Sequence, residues 1–349
     1  MTRQTWTAAV SALLFVVLAA VIALVPVPYV TWAPGATYNL LGPIDGKDAI
    51  TINGIQTYPV TGELRMTTIS VTAPDASLSL PEVLISYWMP DHLVLPREAI
   101  YHQGASVTDL DNVATQQMSA SQTYAIVAAL RAAQVPVTEL PMVDAVQKAG
   151  PSAGSLQAGD LIQAVDGVAV STQEQAAAAI RNRHVGQRVT FSIVRNGQLL
   201  EETVTTRASD ASPDIPMVGI DIATGYLYGP KVTFAIDPSV GGASAGMMFT
   251  LAIYDRITKA NLANGQVIAG TGTVDADGKV GAIGGVAEKL AAAQRDHATV
   301  FILPKSNCVN VGTAPTGMRL VAVSSVNEAI GSLRALADPS TAGSVAGCS

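Results

Sequence analysis

The sequence contains few charged and few aromatic residues. Of its 349 residues, 13% are charged and 5% are aromatic, and the net charge is -7. An acidic chain of this kind lacks the basic surface that binds phosphate backbones, so we expect no nucleic-acid partner. The length predicts two or three domains.

Cysteine is also scarce, and Cys308 and Cys348 are the only two. Two cysteines make neither a disulfide framework nor a zinc cluster, and we predict no metal site and no cofactor. A single disulfide between them is an alternative hypothesis if this part of the chain lies outside the cytoplasm. Cys348, however, falls in the terminal segment 337–349, whose small and polar residues favour disorder.

Charge is absent altogether between Arg3 and Asp45. Within this gap the stretch Ala8–Val25 is apolar except for Ser11, and its length matches the hydrocarbon layer of a bilayer. We therefore predict a transmembrane anchor over 8–28.

The orientation of this anchor follows from the charge ahead of it. Arg3 and the amino terminus are positive, so we expect residues 1–7 in the cytoplasm and the rest of the chain outside the membrane. A cleaved signal peptide is the alternative, but Pro26-Val27-Pro28 does not resemble a small-residue cleavage site. The aromatic residues expected near the two membrane interfaces are Trp6, Tyr29 and Trp32.

Residues 29–115 are predicted to form an exported β-rich segment. Alternation indicates strands near 49–52 and 64–71, and a short helix follows over 81–88. No chemistry is evident there, and we interpret His92 and His102 as surface or packing residues.

Residues 116–208 contain the pattern Ala153–Gly167, in which Gly159-Asp160 and the turn Asp166-Gly167 are regularly spaced among apolar residues. This pattern resembles a PDZ domain. The resemblance implies a groove that captures extended peptides by strand addition. A polar, proline-containing linker is predicted after it, over Ser209–Pro216.

The most informative motif is Gly242-Ala243-Ser244-Ala245-Gly246, directly ahead of the apolar run Met247–Leu251. A serine between small residues at a strand-to-helix turn is typical of a nucleophile. The glycines let a substrate approach the backbone, and amides at the helix start can stabilise an oxyanion. A serine hydroxyl still needs a base to remove its proton.

Lys289 is the predicted base. It follows Gly284-Gly285 in the first turns of a helix predicted over 286–296, among apolar neighbours. Burial and the positive end of the helix both disfavour the charged amine, so a lysine here can act as a neutral base. The pair predicts a Ser-Lys hydrolase.

Two alternatives compete with this pair. Ser152 lies in a similar motif, Gly150–Gly154, but that motif precedes a loop rather than a long apolar helix. His297 follows Ser244 in the order that a nucleophile-elbow hydrolase uses, although it falls near a helix end beside Asp296. Both alternatives are disfavoured.

The region 217–336 as a whole resembles the proteolytic domain of Lon proteases. The matching stretches are Gly242–Gly246, Gly270–Gly272, Gly278–Ala293 and Ile302–Asn307. The resemblance implies that Ser244 is the nucleophile, that Lys289 is the general base and that Thr271 positions the lysine. Gly242, Ala243 and Ala245 would support the nucleophile.

Two positions depart from the Lon pattern. Ala243 replaces the proline usual before the nucleophile, and Gly241 stands where Lon itself usually has an acidic residue. The chain also contains no Gly-x-x-x-x-Gly-Lys-Ser/Thr motif for ATP.

Anchor, PDZ-like region and Lon-like region together resemble the membrane-anchored PDZ and Lon-domain proteases of bacteria. The fold class implied is α/β (α+β), with the Lon-type domain over 212–336. The function implied is an ATP-independent serine endopeptidase in the bacterial cell membrane that cleaves extended or unfolded polypeptides presented by the PDZ-like domain. A homo-oligomer is an expectation from the Lon resemblance alone, and a catalytically weak or inactive peptide-binding scaffold is the alternative.

Overall fold

The computed structural model describes residues 2–101, 106–209 and 212–348, so His102 lies outside the described residues. The chain divides into two compact units. The main unit consists of Met1–Gln134 and Pro230–Ser349, and the inserted unit consists of Val135–Gly229.

Helices occur in both units. In chain order they are α1 Arg3–Leu24, α2 Leu80–Trp88, α3 Arg97–Ile100, α4 Val107–Ala132, α5 Gln173–Arg181, α6 Gly246–Ile257, α7 Val286–Arg295 and α8 Val326–Ala337, with 3-10 turns at Lys305–Asn310 and Ala342–Ser344.

The strands are mostly short. In chain order they are β1 Pro26–Val27, β2 Tyr29–Asn39, β3 Pro43–Ile44, β4 Lys47–Asp48, β5 Ile50–Asn53, β6 Glu63–Val71, β7 Leu78–Ser79, β8 Leu93–Pro96, β9 Thr138–Val146, β10 Leu161–Val165, β11 Val168–Ala169, β12 Arg188–Arg195, β13 Gln198–Thr205, β14 Arg207–Ser209, β15 Ser212–Met217, β16 Ile220–Leu227, β17 Lys231–Phe234, β18 Val267–Gly270, β19 Thr273–Val274, β20 Val280–Gly281, β21 Val300–Pro304 and β22 Arg319–Val323.

The apolar amino-terminal stretch forms α1. Among the described residues it is the one helix long and apolar enough to cross a membrane, with a mean hydropathy of 2.7. None of it is buried within the protein, and its chain turns extended at Val25. Length and composition are therefore compatible with a single-pass anchor or a signal sequence.

A six-stranded sheet organises the main unit, in the order β22-β21-β18-β6-β2-β8. The strands from β22 to β6 run parallel, whereas β2 is antiparallel to both β6 and β8. Three of its strands come from 29–115, which we expected to be a separate exported segment. That segment instead completes the sheet of the carboxyl-terminal region, and local sequence pattern carries no signal for such distant pairing.

Two helices pack on each other beside this sheet. In α6 every residue except Arg256 is buried, as expected for a helix that is apolar around most of its circumference. The carboxyl-terminal half of α4, including Ala125, Val127 and Leu130, supplies the facing buried surface. Because α4 belongs to the main unit, the predicted start of the PDZ-like region at residue 116 differs from the boundary observed at Val135.

The inserted unit is built on a second sheet, in the order β13-β12-β10-β9-β16 with β11 beside β10. Its core contains Ile162, Phe191 and Ile193, all fully buried. The predicted linker Ser209–Pro216 overlaps the antiparallel pair β14–β15, and β16 returns to close the sheet beside β9. The unit therefore extends past residue 208 to Gly229.

The carboxyl-terminal segment differs from the disorder expected over 337–349. Cys308 and Cys348 form a disulfide that joins positions 40 residues apart. The Ala322 amide donates to the Ala346 carbonyl, and Cys348 packs beside the core that contains Phe301. The composition of 337–349 does not indicate that the segment is ordered, because a disulfide can order a polar segment that contains few apolar residues.

Removing this disulfide is expected to lower stability. The double substitution C308S/C348S should reduce the free energy of unfolding by about 2–4 kcal/mol, because the crosslink restricts the unfolded chain. Thermal denaturation of the full chain with and without dithiothreitol measures the effect. The wild-type midpoint should fall on reduction and the variant midpoint should not respond. Equal midpoints for the oxidised wild type and the variant would contradict a structural role.

Candidate active site

The turn ahead of α6 holds Ser244 half-buried at its surface. Gly242 has a φ of +89°, in the left-handed region that favours glycine, and its amide donates to the Ala114 carbonyl. The Ser121 hydroxyl donates to the Ala243 carbonyl over 3.1 Å. Two hydrogen bonds with residues of α4 therefore hold the turn in place, although Ala243 stands where the Lon resemblance predicts proline.

Close packing fixes the start of α6. A Cβ added to Gly246 would lie 2.9 Å from both the Ser121 hydroxyl oxygen and Val274 Cγ1, so any side chain here would force its neighbours to shift. The Met247 amide also donates to the Gly272 carbonyl. Gly246, two residues after Ser244, therefore allows α6 to pack closely against α4 and β19.

Lys289 lies in the first turn of α7 and is 3% exposed. Its Nζ lies 2.8 Å from Ser244 Oγ and 3.1 Å from Thr271 Oγ1. Its amide donates to the carbonyl of Gly285, whose φ is +71° at the turn into α7. The structure therefore brings together the three residues that the sequence singled out.

Thr271 contacts both members of this pair. Its hydroxyl donates to the Ser244 carbonyl over 3.0 Å, so its oxygen is left to accept from Lys289 Nζ. The Gly272 amide donates to the same carbonyl over 2.8 Å. A neutral amine that donates to Thr271 keeps its lone pair free for the proton of Ser244.

Burial decides the protonation of this amine. It lowers the pKa of Lys289 from 10.5 to about 8, because the charged ammonium loses hydration, and the Glu288 carboxylate acts in the opposite direction. Burial also raises the pKa of Glu288. Lys289 consequently exchanges its proton near neutral pH, which a general base requires.

A cleft of about 690 Å³ opens in front of the pair. One wall is the stretch of β6 from Thr67 to Ser70, and another is the loop at Ile283-Gly284. β18 pairs with β6 only as far as Met66, so no described strand pairs with the following residues on that side. The cleft therefore offers a strand edge beside the nucleophile.

Trp32, which the sequence predicts near a membrane interface, forms part of the cleft wall. Its ring lies about 3.4 Å from where a Cβ of Gly284 would be, and its indole nitrogen is buried without a partner among the described residues. The sequence does not predict this position because strand β2 was not recognised. β2 contains a bulge between Pro34 and Thr37 that breaks the alternation of apolar and polar residues.

The competing residues lie elsewhere. Ser152 is fully buried in the inserted unit, and its hydroxyl donates to the Val218 carbonyl over 2.7 Å. His297 is exposed beyond the carboxyl end of α7 and does not line the cleft. His92 is half-buried and contacts the Pro90 carbonyl, consistent with the surface or packing role expected for it. Ala243 and Ala245 flank Ser244 in the cleft wall.

Two protein-family models match the chain. Residues 104–206 match the PDZ domain model, and residues 237–334 match the model of the Lon protease (S16) C-terminal proteolytic domain. The chain combines a PDZ domain with a Lon-type proteolytic domain. The Lon match contains Ser244, Thr271 and Lys289, whereas the sheet of that domain also uses strands that precede the PDZ domain.

Similar proteins cover parts of the chain. A Lon protease of Chloroflexus aggregans is 37% identical over 143 residues, which is 38% of this chain and 17% of that protein. The chain thus matches about a sixth of this relative's length. The PDZ domain of an SdrC-like protein from Listeria monocytogenes is 25% identical, covering 24% of this chain and 86% of its own with a TM-score of 0.22. A Geobacillus thermodenitrificans protein is 30% identical, covering 23% and 92% with a TM-score of 0.21.

The pH dependence of Ser244 reactivity follows from the lysine. Its labelling by a fluorophosphonate should rise with pH and level off above about 8, because only deprotonated Lys289 accepts the serine proton. Glu288→Gln should move this rise to lower pH, since the carboxylate favours the ammonium. Labelling rates measured between pH 6 and 10 test both expectations.

Glu201→Gln is the matched control for charge removal, because Glu201 is exposed in the inserted unit. It should leave the pH profile unchanged. A labelling rate that does not depend on pH in this range, or a Glu288→Gln profile shifted to higher pH, would exclude Lys289 as the base.

Proposed function

We propose that this chain is a membrane-anchored serine endopeptidase that hydrolyses extended or unfolded polypeptides without ATP. The observation that carries the proposal is the 2.8 Å separation of Lys289 Nζ and Ser244 Oγ, with the lysine buried and its pKa lowered to about 8. The Lon-type family match supports a protease, and the accessible cleft supports a polymeric substrate.

The chemistry begins with proton transfer. Lys289 Nζ accepts the hydroxyl proton while Ser244 Oγ attacks the carbonyl carbon of the scissile peptide bond. The resulting ammonium then donates its proton to the amine that leaves, which gives an acyl-enzyme on Ser244. Lys289 then deprotonates a water molecule that attacks the acyl carbon, the bond to Ser244 Oγ breaks to release the carboxylic acid product, and the lysine returns its proton to Ser244 Oγ.

The negative charge on the carbonyl oxygen needs donors in the transition state. We assign these to the amides of Ala243, Ser244 and Ala245 in the turn and to the positive amino end of α6. Hydrogen bonds from Gly242 to Ala114 and from Ser121 to Ala243 hold this turn before substrate arrives. Such preorganisation makes the donors effective without rearrangement during the reaction.

Substrate selection follows from the strand edge in the cleft. An extended polypeptide can pair with β6 along Thr67–Ser70, which places its backbone beside Ser244. A folded protein presents few such free segments, so we assign unfolded or loosely folded chains as substrates. The PDZ domain would bind another extended segment of the same substrate polypeptide, which raises the local concentration of that substrate at the cleft.

The anchor and its orientation belong to this proposal. α1 has the length and apolarity of a single span, and Arg3 precedes the apolar stretch, which favours a cytoplasmic amino terminus. The bridge between Cys308 and Cys348 supports an oxidising environment for the main unit. We therefore place both units outside the cytoplasm.

Mutation of the pair tests the activity. Ser244→Ala and Lys289→Met should each slow degradation of unfolded casein at least about 100-fold, because each removes a partner of the proton transfer. The assay uses the full chain in detergent without nucleotide. His297→Ala should retain wild-type activity. Degradation that survives Ser244→Ala but not His297→Ala would favour the nucleophile-elbow alternative, and no degradation by the wild type would favour a binding scaffold.

Thr271 is proposed as a positioning residue. Thr271→Val keeps the volume but removes the hydroxyl, so kcat should fall about 10- to 100-fold with little change in KM. Thr271→Ser should recover most of the loss because it restores both hydrogen bonds. A role in packing alone predicts the opposite ranking, with valine tolerated and serine impaired, and steady-state kinetics on a peptide substrate distinguish the two.

A further inference from the structure

One surface of the main unit is apolar and uncovered. Ile85, Tyr87 and Trp88 on α2 are 57%, 70% and 74% exposed. The neighbouring Leu84, Met89 and Leu93 add to the same exposed region, which we term the α2 patch. Large aromatic residues exposed together on a short helix indicate an interaction surface.

Backbone pairing places this patch close to the end of α1. α1 ends at Leu24, and β1 begins two residues later. β1 pairs antiparallel with β7, so that Pro26 lies opposite Ser79. Adjacent strands are about 5 Å apart, and α2 begins at Leu80, directly after Ser79.

The start of α2 is fixed in this position. Glu82 accepts hydrogen bonds from both the amide and the hydroxyl of Ser79, which closes a capping box at the helix start. The helix is nine residues long, or about 14 Å, and its far end carries Tyr87 and Trp88. Tyr87 and Trp88 consequently lie within about 20 Å of β1, which directly follows the end of α1.

The chemistry of the patch selects its partner. Between Ala73 and Pro96 there is no lysine or arginine, while Asp75, Glu82 and Asp91 are acidic. The α2 patch therefore has no lysine or arginine of its own to attract an anionic surface, and the nearby Arg97 donates to the Ala76 carbonyl. Tryptophan and tyrosine, in contrast, are enriched at the headgroup level of bilayers, where the ring is buried and its polar edge stays hydrated.

We propose that the α2 patch rests in the interface of the membrane that α1 crosses, with Trp88 and Tyr87 inserted among the lipid headgroups. The inference rests on α1 being the anchor of the proposed function. Insertion gives the main unit a second membrane contact besides α1. Because apolar burial drives it, the contact does not require anionic lipid.

The chain supplies its own reporters for a test. Its three tryptophans are Trp6 in α1, Trp32 beside the cleft and Trp88 in the α2 patch. Three full-length variants each keep one of them and carry phenylalanine at the other two positions. Each variant is reconstituted into phosphatidylcholine vesicles whose acyl chains are brominated at a shallow or a deep carbon, and quenching of the emission is measured.

We expect shallow bromines to quench Trp88 several-fold more strongly than they quench Trp32. Trp6 reports the anchor independently. Quenching of Trp6 without quenching of Trp88 overturns the α2 inference and leaves the anchor intact, whereas a lack of Trp6 quenching refutes the anchor itself. A blue-shifted but unquenched Trp88 also overturns the inference, since it places the patch against protein.

Two further arms separate lipid insertion from other causes. The added substitutions I85S/Y87S in the Trp88 reporter should reduce its quenching at least two-fold, because they remove apolar neighbours from exposed positions without touching the core. Replacing a fifth of the lipid by phosphatidylserine should not strengthen the quenching. Stronger quenching with the anionic lipid would contradict the apolar mode of contact.

Discussion

The structure depends on keeping one amine buried and uncharged between two hydroxyl groups. Lys289 Nζ contacts Ser244 Oγ and Thr271 Oγ1, and a 3% exposed side chain gives the ammonium little hydration. Burial makes the ammonium costly and outweighs the attraction of the Glu288 carboxylate, so the neutral form becomes accessible near pH 8. Much of the main unit can be understood as the support for this contact: α6 and the turn before it hold the serine, the segment after β18 holds the threonine, and α7 holds the lysine.

The same sheet provides the strand edge beside the nucleophile and connects to α1. β6 continues past the end of β18, which leaves a strand edge beside Ser244, and β2 on its other side comes almost directly from α1. Gly35 lines the cleft. The chain between Leu24, where α1 ends, and Gly35 can span at most about 40 Å. With α1 in the membrane as proposed, Gly35 in the cleft wall lies within this distance of the end of the anchor.

Much of the site could be predicted from sequence, because its signals are local. The turn at Ser244 and the helix around Lys289 both lie in short contiguous motifs. Long-range pairing was not predictable: nothing local indicates that β6 lies between β18 and β2. β2 was missed because its bulge interrupts the alternation, and the role of Ser121 depends on packing between α4 and α6. The order of the tail depends on the disulfide between Cys308 and Cys348, which the sequence could not predict from the spacing of the two cysteines.

Titration of Lys289 itself shows whether a neutral amine is available beside Ser244. With lysine labelled by carbon-13 at the ε position, the resonance that is absent from Lys289→Met reports this residue in the full chain. We expect this resonance to titrate with a pKa of about 8. We also expect the titration to change when a fluorophosphonate occupies Ser244, because the two groups are in contact. A Lys289 that titrates at its ordinary pKa of 10.5, unaffected by modification of Ser244, would show that it is not the base.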